Sequence, residues 1–152
     1  MPMEPKIRKA VAGDIPAVHS LVGDLARYEK SETEFIATVE EYLEDFHSGI
    51  FSALVAESDG AVVGMALYFM TYSTWKGKML YLEDFVIRES HRRQGIGSLL
   101  FDAFLEEARR VGCRLVKWQV LDWNKPALDF YEGYQATIEK EWWNGKIFLD
   151  SK

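Results

Sequence analysis

A mixed α/β fold, built on a single β-sheet of about six to seven strands flanked by helices, is the fold class that the sequence predicts. Segments rich in β-branched and aromatic residues alternate with segments whose apolar residues recur at helical spacing. Turn signals such as Ser58-Asp59-Gly60 and Asn144-Gly145 separate strand-like segments. No repeat, low-complexity stretch or linker interrupts the 152 residues, which predicts one domain over residues 1–152.

The first third of the chain predicts one strand and two helices. Residues 7–10 form the strand, and residues 15–29 form an amphipathic helix with Asp14 as its N-cap. Thr38 and Glu41 have the spacing of a capping box, which begins a second helix that ends near Gly49.

The middle of the chain predicts three successive strands followed by a long helix. The strands cover residues 51–57, 61–75 and 79–88, with short glycine-containing turns between them. The helix runs from about residue 95 to residue 111, and Gly112 follows it in the position that ends many helices.

The last third predicts a strand, a short helix and a terminal hairpin. The strand covers residues 114–121, and Asn124 caps a short helix that carries Pro126 in its first turn. Strands over residues 134–143 and 146–150 form the hairpin. The predicted order is therefore β-α-α-β-β-β-α-β-α-β-β.

Composition excludes several classes of partner. The formal charge of −6 disfavours nucleic acid, whose phosphates need a cationic surface. No apolar stretch approaches the ~20 residues of a membrane span, so no membrane is expected. Cys113 is the single cysteine, which excludes an internal disulfide and fits a reducing compartment. Because the first residues also form no apolar run, no secretory signal is expected, and we expect a cytoplasmic protein.

Two kinds of catalytic site also find no support. The three histidines, His19, His47 and His91, have no metal-ligand spacing with Cys113, so no metal is expected. The Gly-x-Ser-x-Gly turn of a hydrolase nucleophile does not occur.

A basic loop that contains glycines leads into the long helix. Arg92 and Arg93 precede Gly95 and Gly97, and the helix start offers backbone N–H groups to an anion. The loop has neither the Lys-Ser/Thr ending of a P-loop nor the third glycine of a dinucleotide fingerprint, where Leu100 stands. These features indicate a phosphorylated cofactor, and an ordinary exposed helix start is the alternative.

The Arg-x-x-Gly-x-Gly pattern of residues 92–97 resembles the acyl-CoA loop of the GNAT superfamily of N-acetyltransferases. The order of elements over nearly the whole chain is similar to that family. Residues 72–87 and 120–124 resemble its diamine and polyamine branch, which includes the spermidine/spermine and thialysine N-acetyltransferases. Residues 25–29 resemble the amine-binding helix of that branch, and the match at residues 74–77 favours the thialysine type.

The resemblance implies a GNAT fold, acetyl-CoA as the cofactor, and direct transfer to a primary amine in a ternary complex without an acetyl-enzyme. The implied cofactor-binding residues are Phe85, Val86, Ile87, Arg92, Arg93, Gln94, Gly95, Ile96, Gly97, Ser98, Asn124, Lys125, Ala127 and Tyr131. The expected substrate-binding residues are Tyr28, Glu29, Glu83, Asp84 and Trp118. A homodimer is implied as well, with the aromatic terminal hairpin as a candidate contact.

Two residues are the candidate catalytic groups. Tyr131 matches the tyrosine that protonates the leaving thiolate, and a phenol of pKa ~10 suits that task. Glu83 is the candidate for binding and deprotonating the amine through water. Strand alternation predicts that Glu83 and Asp84 point to opposite faces, so that only one of them faces the site, and Asp84 is the alternative. Backbone N–H groups near Phe85 and Val86 are expected to stabilise the oxyanion where the strand splays.

One departure from the family pattern lies after Tyr131. Glu132 alone separates it from Gly133, so either two residues are deleted or Gln135 stands where the family has glycine. This altered turn leaves open a CoA-binding regulatory module without catalysis. A different acceptor, such as a protein amine or an aminoglycoside, is the other alternative.

Overall fold

A computed structural model describes residues 4–150 of the chain. Its strands are β1 (Lys6–Lys9), β2 (Ser52–Ser58), β3 (Ala61–Ser73), β4 (Gly77–Ile87) and β5 (Leu115–Trp118). Its helices are α1 (Ile15–Tyr28), α2 (Val39–His47), α3 (Ile96–Arg110) and α4 (Lys125–Glu132). The chain divides into two compact units, one ending at Gln119 and one beginning at Val120. The secretion expectation rests partly on residues 1–3, which lie outside the described residues.

The five strands form one mixed sheet in the order β1-β2-β3-β4-β5. The first four pair antiparallel, and β4 pairs with β5 in parallel. Asp59 and Gly60 both adopt left-handed φ angles, 51° and 80°, as a two-residue hairpin turn between β2 and β3 requires. The mixed α/β class is confirmed.

Helices cover both faces of this sheet. On one face, Val18 and Leu21 of α1 pack into a buried cluster with Met65, Leu67 and Val86 of β3 and β4. On the other face, α3 supplies two fully buried aromatic rings, Phe101 and Phe104. Phe104 contacts Tyr68 at 5.4 Å between ring centroids, and Phe101 stacks on Phe85 at 5.7 Å. In both helices the apolar residues recur every 3.6 residues on average, which gives each helix the apolar side that it packs against the sheet.

The predicted terminal hairpin is wrong, and with it the count of six to seven strands. Residues 133–150 form no strand, and their large apolar side chains are exposed. Trp143 is 93% exposed and Leu149 is 98% exposed. The Asn-Gly turn signal and the aromatic composition are local features, whereas a strand exists only when its backbone groups pair with another strand.

The predicted role of Asp14 as an N-cap is also wrong in its chemistry. Asp14 precedes α1, but its side chain makes no capping hydrogen bond to that helix. Its carboxylate accepts hydrogen bonds from the Arg8 guanidinium at 2.7 and 3.0 Å and from the Val11 amide at 2.8 Å. Arg8 also donates to Glu57, so this ion pair fixes the start of α1 to β1 and β2.

Candidate active site

A β-bulge in β4 interrupts the alternation of side chains at two consecutive acidic residues, Glu83 and Asp84. Tyr68 pairs with Leu82 and Leu67 pairs with Asp84, so Glu83 has no partner on β3. An unpaired residue breaks the alternation of side chains along a strand. Both carboxylates lie near Tyr42 of α2, where they add to the effect of burial on the pKa of its hydroxyl. The bulge thus breaks the alternation on which the choice between Glu83 and Asp84 depended, and both carboxylates remain candidates for the site.

These carboxylates have no cationic partner. Within residues 4–150, Glu83 and Asp84 take part in no hydrogen bond or ion pair of their side chains, and the same holds for Glu29 at the end of α1. Burial, together with the charges of Glu83 and Glu29, raises the pKa of Asp84 to about 7. Burial also raises the pKa of Glu29. Three acidic groups without counter-ions form a site suited to a cation.

Aromatic rings line the same side of the sheet. The Tyr81 ring stacks on the Phe69 ring at 5.4 Å between centroids. Burial, and to a lesser extent the charges of Glu83 and Asp84, raise the pKa of the Tyr81 hydroxyl. Tyr42 was not predicted from the sequence as a site residue. Its position on a short amphipathic helix is typical of a core aromatic, and only the folded structure brings it near the carboxylates.

The basic glycine loop has the geometry of an anion cradle. Arg93 and Gly95 adopt left-handed φ angles of 63° and 80°, and α3 begins directly afterwards at Ile96. The amides of Arg93, Gln94 and Gly95 donate no backbone hydrogen bond within the described residues. The first N–H groups of an α-helix also lack intrahelical acceptors. A pyrophosphate would satisfy these groups, so the predicted cofactor residues of the loop fit such a ligand.

Arg92 connects this loop to the acidic end of α1. Its guanidinium lies 5.7 Å from the centre of the Tyr28 ring and donates from Nε to the Ile87 carbonyl at 3.2 Å. Tyr28 is followed directly by Glu29. The structure thus brings together the glycine loop and two of the predicted substrate residues, Tyr28 and Glu29.

β4 extends beyond the part of the sheet that pairs with β5. Pairing ends at Leu82 and Trp118, whereas β4 continues to Ile87. Over residues 83–87, the edge of β4 that faces away from β3 therefore has no neighbouring strand among residues 4–150, which agrees with the predicted splay. The side chains here serve packing, since Phe85 stacks on Phe101 and Val86 is buried.

Trp118 is not brought to the carboxylates. Its ring meets Phe101 edge-on at 5.7 Å, on the face of the sheet that α3 covers.

A cavity of about 250 Å³ opens between Lys9, Tyr68, Glu107 and Arg110 and contains none of the predicted site residues. Among the described residues, no group of His, Cys, Asp or Glu side chains has the arrangement of a metal site.

The second unit carries the other predicted residues on α4. Asn124 caps this helix by accepting the Ala127 amide at 3.3 Å, as predicted, and Lys125 pairs with Asp129 at 3.0 Å. Tyr131 lies near the end of α4 and is only 7% exposed.

The turn after Tyr131 resolves the departure seen in the sequence. The Ala136 amide donates to the Tyr131 carbonyl and the Gln135 amide to the Glu132 carbonyl, at 3.2 and 2.8 Å. This is the hydrogen-bond pattern of a helix that ends in a left-handed residue. Gln135 has a φ of 60°, whereas Gly133 keeps helical angles. Gln135 therefore occupies the position that usually favours glycine.

Comparisons with known proteins show the family to which the chain belongs. The profile of the acetyltransferase (GNAT) family matches residues 15–134. A thialysine N-epsilon-acetyltransferase from Bos taurus is 38% identical over 91% of this chain and 88% of its own length. A human spermidine/spermine N(1)-acetyltransferase-like protein 1 is 32% identical over 90% of this chain and 21% of its own length.

A solved structure has the same fold. The aminoglycoside N-acetyltransferase AAC(6′)-Iy in complex with CoA superposes with a TM-score of 0.77 over 96% of both chains, at 16% identity.

Within residues 4–150, no helix combines the length and the apolar character that crossing a membrane requires.

Proposed function

The chain belongs to the acetyltransferase (GNAT) family and is an N-acetyltransferase, and from this premise we propose that it acetylates a primary amine of a small diamine, polyamine or lysine-like molecule such as thialysine. Acetyl-CoA is the proposed acetyl donor. The choice of acceptor rests on three acidic residues, Glu29, Glu83 and Asp84. Their carboxylates have no cationic partner among the described residues. The names of the relatives support an acceptor of this kind.

The glycine loop is the proposed binding site of the CoA pyrophosphate. The free amides of residues 93–97 donate to it, and Arg92 and Arg93 add positive charge. Asn124, Lys125 and Ala127 are proposed to bind another part of the cofactor. When bound, acetyl-CoA supplies the acetyl group as a thioester.

Glu83 and Asp84 are proposed to bind the ammonium group and to accept its proton, with water as a carrier. Nucleophilic attack requires the neutral amine, and an alkylammonium has a pKa of ~10.4. A base is most effective when its pKa lies near the working pH, and the pKa of Asp84 is about 7. The neighbouring charge of Glu83 contributes to this raised pKa.

Tyr131 is the proposed acid that donates its phenolic proton to the departing thiolate. The Asn124 cap and the hydrogen-bonded turn at Gln135 fix both ends of the helix that carries it. Backbone N–H groups near Phe85 and Val86 are proposed to stabilise the oxyanion, because this stretch of β4 lies beyond the part that pairs with β5.

The experiment is an assay of thiol release from acetyl-CoA with thialysine, lysine, putrescine, spermidine, spermine and an aminoglycoside as acceptors. We expect turnover with one of the first five amines. Tyr131→Phe and Glu83→Gln should each lower kcat about 100-fold or more, since one general acid or base contributes 10²–10⁴-fold. Tyr72→Phe is the control, because that side chain is 69% exposed. CoA binding without turnover on any acceptor would instead support a regulatory module.

We further propose that the chain forms a homodimer, is one domain over residues 1–152 and acts in the cytoplasm. The exposed apolar side chains of residues 138–149 support the dimer, because covering them in a contact is favourable. The single free thiol of Cys113 supports a reducing compartment. Light scattering should give twice the chain mass, and Trp143→Glu should shift the protein towards a monomer. A wild-type monomer at all concentrations would refute the dimer.

A further inference from the structure

Tyr42 shares an apolar surface with Asp84. The Tyr42 ring packs against the buried cluster that contains Leu67 and Val86. Leu67 is the residue that pairs with Asp84 across β3 and β4, and Val86 lies two positions further along β4. The ring and the carboxyl group therefore lie on the same face of the sheet.

Neighbouring aromatic rings hold Tyr42 in this position. The His19 ring lies 4.9 Å from it, edge to face, and the Phe51 ring lies 5.9 Å away. His19 is itself fixed, because its Nε2 lies 2.8 Å from the carbonyl oxygen of Ala37, just before α2. The ring thus loses little further freedom when a ligand binds.

The hydroxyl of Tyr42 has no hydrogen-bond partner among the described residues. Within residues 4–150, the side-chain carboxylates of Glu83 and Asp84 make no hydrogen bond either. Burial and the charges of Asp84 and Glu83 raise the pKa of Tyr42 to about 12, so the hydroxyl is neutral at physiological pH. Its oxygen can accept a hydrogen bond without adding a further negative charge to the site.

A primary ammonium group has three N–H donors and needs three acceptors. Glu83 and Asp84 supply two. We propose that Tyr42 is a specificity-determining residue whose hydroxyl oxygen accepts the third N–H of the bound ammonium, so that the site prefers primary amines to N-methylated amines. This inference rests on the proposed function, since it concerns the same amine site.

The test measures amine binding rather than turnover. Calorimetry with the full-length enzyme saturated with CoA would use two probes, putrescine and lysine. Their counterparts carry one methyl group on each terminal nitrogen of putrescine and on the ε-nitrogen of lysine. Tyr42→Phe keeps the ring and removes only the hydroxyl, and Tyr72→Phe is the matched control on an exposed tyrosine. Unchanged unfolding temperatures would show that both variants keep their fold.

We expect Tyr42→Phe to weaken binding of the primary amine about tenfold and that of the methylated amine less than twofold, since a hydrogen bond to a charged group is lost only in the first case. The preference for the primary amine should therefore largely disappear. Equal losses for both amines, or no loss, would overturn the inference while leaving the proposed function intact. A wild-type enzyme that binds neither probe nor acetylates any amine would refute both.

Discussion

Replacing Asp84 by asparagine should stabilise the folded protein at alkaline pH and leave it unchanged in acid. The pKa of this carboxyl rises from 3.8 to about 7 on folding, because the site is buried and because Glu83 and Glu29 repel its charge. The folded state thus holds a proton that the unfolded chain has lost between these two values. Wild-type stability falls as pH rises from about 4 to about 7 and then stays low.

The shift of about three units corresponds to about 4 kcal/mol at ~1.4 kcal/mol per unit. Because Asp84 is only partly buried, solvent screening reduces this, and we expect about 2 kcal/mol. In a chain of this size, that amounts to roughly 4–8 °C in Tm. The difference between Asp84→Asn and wild type should grow from near zero at pH 4 to this value at pH 8.

Urea denaturation at several pH values measures the effect, since groups common to both proteins cancel in the difference. Glu44→Gln, which removes an exposed charge on α2, is the control and should show no such growth. A difference that is independent of pH would refute the reasoning, because Asp84 would then have the same proton affinity in the folded and unfolded chains.

Four further substitutions test the backbone and its packing. A Cβ on Gly64 would lie 2.7 Å from Ile87 Cδ1, so Gly64→Ala should lower the free energy of unfolding by about 1–3 kcal/mol. Ile87→Val should lower it less in the Gly64→Ala background than in wild type, because the shorter side chain relieves the close contact. Urea denaturation would measure both effects, and additive losses would contradict the contact. Gln135→Gly should raise stability by about 0.5–1 kcal/mol, measured as Tm, by relieving a left-handed residue. Gly95→Ala, at a φ of 80°, should cost about 1 kcal/mol and weaken CoA binding, and unchanged CoA affinity in calorimetry would contradict the cradle.

The helices and the central strands could be predicted because their signals are local. The caps at Thr38 and Asn124 and the left-handed Gly112 mark element boundaries within a few residues of where the structure has them. The predicted hairpin over residues 134–150 is wrong because the pairing of a strand does not depend on its own residues alone. Its alternating and aromatic composition is compatible with a strand, but no described residue beyond Trp118 forms one.

The candidate site was predicted in part for the same reason. The glycine loop depends on residue types at fixed spacing, so its residues could be chosen from the sequence. The carboxylate pair depends on an extra residue in one strand relative to its partner, which only the register between β3 and β4 reveals. Tyr42 gave no signal at all, because its proximity to Asp84 arises from the packing of α2 on a distant strand.

The bulge at Glu83 explains both why the empty site destabilises the fold and why the site suits a cationic acceptor. A regular strand would send one of two consecutive acidic residues to each face, and the face covered by α3 is filled by aromatic rings. The bulge at Glu83 interrupts this alternation, and the charges of Glu83 and of Glu29, which follows α1, act on Asp84. Mutual repulsion and burial then destabilise the fold while the site is empty. A bound ammonium removes that repulsion, so the free energy lost in folding becomes available as affinity for a cationic acceptor.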